Sequence, residues 1–536
     1  MRLIYIDVDT LRPDHLGCYG YGRPTSPVID GLAARGVRFD NVHASDTPCL
    51  PSRSALSTGQ FGIRNGAVNH GGPATDLFPE GTRRGFRTQA AAHSWMAPLR
   101  DLGMWTASIS TFAERHSAYH FDAGFNECVN LGTRGLETAD QVAAAAEDWL
   151  LRNGPGEDWF LHVHLWDPHT PYRTPASFGD PFDDDPVPAW LTEEVRAAHW
   201  SLPGPHSAQE LAGFGPRDVW DRYPRQPLQA SSMDDVRRVY DGYDTGVRYA
   251  DHQIGRLLGV VDDLGLTSET AVMVSADHGE NLGELGIYCD HQTADQITTR
   301  LPFVLVWPGL EPRGAAAGPV GADSVAAGSA GAGPVGADSV DTGPPGADSP
   351  GAGSVDSGFH YQIDVMATVL ELAGARVPER WDGRSFAAEL LDGRPTGRDH
   401  LVLSHGAWTA QRAVRFDRWI CIRTYHDAFH GFPEVQLFDV VADPYEQHDL
   451  VADRPDVVEH ALALLADWGS DALARSPAGV DPLWTVLTGG GPWHSRVDVP
   501  WYLERLRSTG RGRWADHFVA QGWPRASGEG PVVLEA

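Results

Sequence analysis

The chain has 536 residues, 42% hydrophobic and 21% charged, a globular composition long enough for one large and one smaller domain; global disorder and collagen-like repetition are excluded. A formal net charge of −30 argues against a general affinity for nucleic acid or anionic membrane, so an anionic substrate needs a local cationic site, and with no lysine in the chain that site must use arginine or histidine. No apolar run reaches the ~18 residues of a membrane span, the first residues enter a strand with no secretory signal, and Cys18, Cys49, Cys128, Cys289 and Cys421 form neither a metal pair nor a disulfide framework, which together predict a cytoplasmic protein.

Residues 3–6 read as a first strand, leading to Asp7-Val8-Asp9-Thr10. A helical pattern over 141–151 precedes a second strand, 159–166, which leads to Asp167-Pro168-His169. A long apolar face from Val236 to Val261, opened by Ser232 and closed near Gly265, precedes a third strand, 271–276, which leads to Asp277-His278-Gly279-Glu280. Strands alternating with helices predict an α/β domain whose mostly parallel central sheet is flanked by helices, with ligands beyond the carboxyl ends of the strands. The connection 175–229 has no interpretable pattern. Residues 314–357 are Gly, Ala, Pro, Ser, Asp and Val, with 318–325 repeated at 333–340, and are expected to be a disordered insertion. A helix resumes from Tyr361 and stops at Gly374, and the large domain is expected to cover 1–393. Short strands at 401–404, 413–415, 418–423 and 435–440 and a helix at 457–468 predict a smaller C-terminal domain, 394–536, with a short antiparallel sheet and a helix. Its tail carries Trp484, Trp493, Trp501, Trp514 and Trp523, expected to pack against the body.

Pro51 suits the first helical position and Gly59 a helix stop, which puts Cys49 at a helix N-terminus, where free N–H groups favour an anion and lower a thiol pKa. Arg53, one turn further, adds a planar cation for two sulfate or phosphate oxygens. Asp9 and Asp277 end different strands and, if these are close in the sheet, offer hard ligands to one divalent cation, with His278 adding a nitrogen. Asp7 reads equally as a cap or turn residue, and Cys49 also reads as a small buried residue.

The stretch Cys49-Leu50-Pro51-Ser52-Arg53 resembles the sulfatase signature Cys-x-Pro-Ser-Arg. Leu11-Arg12-Pro13-Asp14-His15-Leu16-Gly17-Cys18-Tyr19-Gly20, Ser275-Ala276-Asp277-His278-Gly279-Glu280, residues 301–309 and the late Leu437-Phe438-Asp439-Val440 with Asp443-Pro444-Tyr445-Glu446 match the same family in order. The resemblance implies a formylglycine-dependent sulfatase of the alkaline-phosphatase-like superfamily, hydrolysing a small-molecule or saccharide sulfate ester after a formylglycine-generating enzyme has oxidised Cys49 to an aldehyde. One oxygen of the aldehyde hydrate attacks sulfur and the alcohol departs; collapse of the sulfated hemiacetal then expels sulfate and regenerates the aldehyde. The implied metal set is Asp9, Thr10, Cys49, Asp277 and His278. Thr10 replaces the family's second acid, which leaves calcium leading, with manganese and magnesium open. Asp167-Pro168-His169-Thr170-Pro171-Tyr172 resembles a Pro-His-x-Pro stretch whose histidine, here His169, lines the anion pocket. The family's Gly-Lys-Trp-His stretch is absent, with Arg115 or His116 as replacements. His291 falls nearest a second family lysine and is expected to be a charged leaving-group acid. Related phosphonate monoester and phosphodiester hydrolases use the same nucleophile and are the alternative, followed by a non-catalytic binding protein with unmodified Cys49.

Overall fold

The apolar run at the N-terminus becomes β1 (Arg2–Val8), a central strand of an eight-stranded sheet in a computed structural model that describes residues 1–79, 93–182, 185–214, 222–310 and 353–522. The chain continues through β2 (Val37–His43), β3 (Asp46–Thr47), β4 (Trp105–Ile109), β5 (Glu127–Val129), β6 (Trp159–Leu165) and β7 (Thr270–Ser275). It then forms a small hairpin, β8 (Asn281–Leu282) with β9 (Tyr288–Asp290), before β10 (Arg300–Val306) and β11 (Ser354–Tyr361). The large sheet has the order β11-β2-β10-β7-β1-β6-β4-β5. β1 is parallel to β6 and β7 in continuous register, so Asp7 lies opposite His164 on one side and Ser275 on the other. These strands are buried on both faces, as near-continuous apolar runs require.

β10 is antiparallel to both β7 and β2, which makes the mostly parallel sheet a mixed one. The segment between β7 and β10 contains a hairpin but no long helix to carry a parallel crossover, so the chain returns in the opposite sense. The flanking helices follow their sequence signals. Ala139–Asn153 and Met233–Asp263 both begin in capping boxes, the latter on Ser232 and Asp235.

The second sheet consists of β12 (His400–His405), β13 (Ala410–Phe416), β14 (Trp419–His426) and β15 (Val435–Asp439), all antiparallel, packed against the helix Pro455–Arg475. Its fifth strand is β3, parallel to β12 and only two residues before Cys49. A two-residue strand carries no periodic signal, so this link was not legible in the sequence.

Most of the expected insertion lies outside the described residues, but its last part, from Ser354, is β11, an edge strand on β2. An edge strand needs little apolar surface on its outer side, which is why its composition resembled the preceding low-complexity run. Of the tail tryptophans, Trp493 packs on Gly71 and Trp514 on Gly431, and Trp484 and Trp501, though half exposed, set one edge against Tyr425 and Phe214; Trp523 is outside the described residues. Among the described residues no helix is long and apolar enough to cross a membrane.

Candidate active site

Parallel register places alternate residues of β1 and β6 on one face, so Asp7 and Asp9 meet His162 and His164. His162 Nε2 lies 3.4 Å from Asp7 Oδ2 and His164 Nε2 lies 3.2 Å from Asp9 Oδ2. Their other ring nitrogens face Ser108 Oγ at 2.9 Å and Ser110 Oγ at 3.1 Å. The two polar rows converge on Arg53, whose Nε donates to Asp7 Oδ2 (2.9 Å) and whose Nη1 donates to Asp9 Oδ2 (3.0 Å) and Asp277 Oδ2 (2.5 Å). Arg53 is fully buried over the Phe112 ring, and only its Nη2 lacks a partner. It therefore serves three strand-end carboxylates rather than the two anion oxygens expected of it, and Asp7 is an ion-paired strand residue rather than a cap.

Cys49 is the first residue of the helix Cys49–Thr58, which ends at Gly59, whose φ of +65° and contact with the Trp381 ring leave no room for a Cβ. Ser52 Oγ donates to the Asp277 carbonyl (2.7 Å), which fastens this helix to the end of β7. The helix N-terminus is not left wholly free, because the Leu50 amide donates to His70 Nε2 (3.2 Å), while the Ser52 amide makes the first bond within the helix, to the Pro48 carbonyl (3.0 Å). Nor is the thiol acidified: burial, then Asp9 and Asp277, push Cys49 well above the ordinary thiol value. Both corrections come from groups distant in sequence that the fold packs against the helix start.

The Cys49 Sγ lies 3.0 Å from His278 Nε2. His278 Nδ1 faces the Gly279 carbonyl at 2.8 Å, which assigns the proton to Nδ1 and leaves the Nε2 lone pair directed at Cys49. Asp277 Oδ1 accepts from the amides of His278 (3.0 Å) and Thr10 (3.3 Å). Asp9, Cys49, Asp277 and His278 offer ligand atoms that all lie within 4.8 Å of one another. Beside them Asp9 Oδ1 and Thr10 Oγ1 are buried without partners. Thr10 has a φ of +58°, a strained value for a β-branched residue, pinned by the Tyr243 hydroxyl, which donates to its carbonyl (2.7 Å). One guanidinium faces three carboxylates, and burial together with Asp9 pushes Asp277 up to about 6 despite Arg53. Orphaned acceptor oxygens, a shortage of positive charge and one nitrogen donor fit a divalent cation.

His169 and His291 complete the surroundings of Cys49, and the three share a second cluster of ligand atoms within 4.8 Å. His169 donates from Nδ1 to the Thr170 carbonyl, leaving Nε2 4.0 Å from Asp9 Oδ1; burial pushes its pKa down to about 3. The His291 ring lies 4.1 Å from that of His278, and its Nδ1 is buried without a partner. Burial and His278 push His291 well below the ordinary histidine value, against the charged form expected of it, whereas Asp290, Asp9 and a bound substrate anion favour that form. Arg115 stacks on Trp166 and is among the charges acting on Cys49, and the adjacent His116 packs on His70 with a buried, unpartnered Nε2. Sequence reasoning missed His162 and His164, although their period-two spacing repeats that of Asp7 and Asp9. It also missed His70, in a loop, and His494, in the single 3-10 turn Trp493–Ser495, neither of which carries a periodic pattern.

The sulfatase family profile matches residues 2–375. The chain belongs to the sulfatase family. It is 25% identical to iduronate 2-sulfatase of Mus musculus over 346 residues, 58% of this chain and 60% of that protein, so the match spans about 60% of that relative. A solved complex with its substrate D-glucosamine-2-N,6-O-disulfate is similar with a TM-score of 0.65 at 18% identity, covering 89% of this chain and 99% of that one. The phosphonate monoester hydrolase of Agrobacterium radiobacter gives a TM-score of 0.59 at 17% identity, covering 90% and 97%. This sulfatase-family chain thus has the alkaline-phosphatase-like fold.

Proposed function

We propose that the chain hydrolyses an organic sulfate ester, with formylglycine made from Cys49 as nucleophile and one divalent cation, calcium ahead of manganese or magnesium, held by Asp9, position 49, Asp277 and His278, with the Thr10 hydroxyl beside them. The observation that carries this reading is the convergence of those four donor groups within 4.8 Å at the start of the Cys49 helix. The cation supplies positive charge to an ester oxygen and favours deprotonation at position 49. Arg53 holds the three carboxylates together against their mutual repulsion, and the Gly279 carbonyl keeps the His278 lone pair directed at the site. His169 and His291 line position 49. The unpartnered Nδ1 of His291 marks it as the group that handles the leaving-group proton. Arg115, which acts on both Cys49 and His169, is the cation we assign to the substrate anion, since Arg53 is occupied.

A saccharide or other small sulfate ester is the substrate class, supported by the sulfated glucosamine bound in the similar solved structure. The formylglycine-generating enzyme is the maturation partner, and a reducing, cytoplasmic setting agrees with the five unpaired cysteines. Hydrolysis of a phosphonate monoester or phosphodiester is the second reading. It is supported by the likeness to a phosphonate monoester hydrolase. Paired rates on an aryl sulfate and an aryl phosphonate monoester, using protein co-expressed with the maturation enzyme, decide between them. A higher kcat/KM on the sulfate is expected; the reverse order establishes the second reading.

A further inference from the structure

Position 49 is bracketed on both sides by histidine-mediated contacts that return to the same place. On its N-terminal side, the Thr47 hydroxyl lies 3.0 Å from His405 Nδ1, and His405 Nε2 accepts from the Trp408 amide (3.2 Å) in the turn between β12 and β13. On its C-terminal side, the Leu50 amide donates to His70 Nε2 (3.2 Å), and His70 Nδ1 lies 3.0 Å from His494 Nε2. The two paths close on each other where the His494 ring stacks on Trp408, with centroids 4.8 Å apart. Backbone bonds fix the same arrangement: Asn69 Oδ1 accepts from the amides of both His70 (2.9 Å) and Trp493 (3.2 Å), and the His494 amide donates to the Ala407 carbonyl (3.0 Å).

The proton positions follow from the donors. The Leu50 amide is one of the first N–H groups of its helix and has no partner within the helix, so it needs an outside acceptor. A neutral histidine that accepts at Nε2 carries its proton on Nδ1, and that N–H in turn needs an acceptor. His494 Nε2 is that acceptor. We propose that His494, acting through His70, is a positioning residue for position 49: it fixes the ring and tautomer of His70, which fixes the first peptide of the nucleophile helix. The residues that close this brace, 405–408 and 494, lie beyond the family match, which ends at residue 375, so the C-terminal part of this chain completes the catalytic centre. The inference rests on position 49 being the nucleophile.

The test compares His494→Phe, which keeps the stack on Trp408 but removes the acceptor, with His494→Gln, which restores an acceptor at similar reach. Both are made in the full chain with formylglycine content and melting temperature checked. In His494→Phe, kcat is expected to fall on the order of 10- to 100-fold, the scale of a misplaced reacting group, with KM within about twofold. His494→Gln is expected to recover most of the loss. Nitrogen-15 NMR of the histidine rings, with His70 assigned by its loss in His70→Gln, is expected to show a pure Nδ1–H tautomer in the wild type and a mixture in His494→Phe. Unchanged kcat in a folded His494→Phe, no better rate in His494→Gln, or the same His70 tautomer in all three proteins overturns the proposal. A wild type that carries formylglycine yet turns over no sulfate ester overturns the functional reading instead, and the His70 tautomer still decides this one.

Discussion

On the strand side of position 49, Arg53, Asp7, Asp9, Asp277, His162 and His164 stand on or dock against three adjacent strands, and each is held by at least one ion pair or hydrogen bond. On the other side, His70, His116, His169 and His291 come from four separate connections, and His116 and His291 each leave a buried nitrogen unpartnered. The contrast separates two tasks. Under the proposed function, paired charges on the sheet would hold a cation and the nucleophile in register, whereas the unpartnered nitrogens on the connections would be left for groups that arrive with the substrate.

The largest expected break in this contrast is Arg53→Met. It leaves three buried carboxylates without their counter-ion and should lower stability by about 3–5 kcal/mol in urea unfolding without added cation, as removing one member of a buried ionic group does. An unchanged unfolding midpoint would show that the carboxylates do not depend on Arg53. Next is His164→Phe, which removes the group orienting Asp9 while leaving every proposed ligand in place. Cation affinity measured by chelator competition should weaken about 10- to 100-fold, as for other residues supporting metal ligands. A wild-type affinity would confine His164 to packing.

On the loop side the effect should move from stability to chemistry. His291→Ala should cost less stability than Arg53→Met, since it strips no buried charge of its counter-ion and loses no hydrogen bond to its Nδ1. It should lose rate on alkyl sulfates, whose leaving group needs a proton, more than on activated aryl sulfates. An unchanged alkyl-to-aryl ratio would remove His291 from the role of acid. The smallest effect is expected from replacing residues 311–352 with a short linker. Leu305 and Ser354 pair with Val37 from its two sides, about 10 Å apart at two strand spacings, so a short connection suffices. Melting temperature and rate should be nearly unchanged, and a large loss of either would show that the segment contributes to fold or function.

The same contrast explains what was legible. Asp9, Asp277, His278, Cys49 and Arg53 lie where a strand ends or a helix begins, within short contiguous motifs, so their convergence followed from the α/β pattern. Partner choice did not follow: that Arg53 meets carboxylates, that the Cys49 thiol is pushed up rather than down, and that Leu50 donates to His70 all depend on groups brought from elsewhere by packing. β3 was too short to show a period, and the reversal of β10 depended on the absence of a crossover helix. His494 lies 424 residues from His70, and no local pattern around either residue foretells that contact.

The central claim is that position 49 acts as formylglycine, and the most direct measurement follows activity against conversion. Preparations with graded co-expression of the maturation enzyme are assayed on an aryl sulfate, and the fraction of the Cys49 peptide carrying the aldehyde is read by mass spectrometry. Turnover is expected to be proportional to that fraction, passing through zero where only the thiol is present. Substantial turnover from protein carrying only unmodified Cys49 would contradict it.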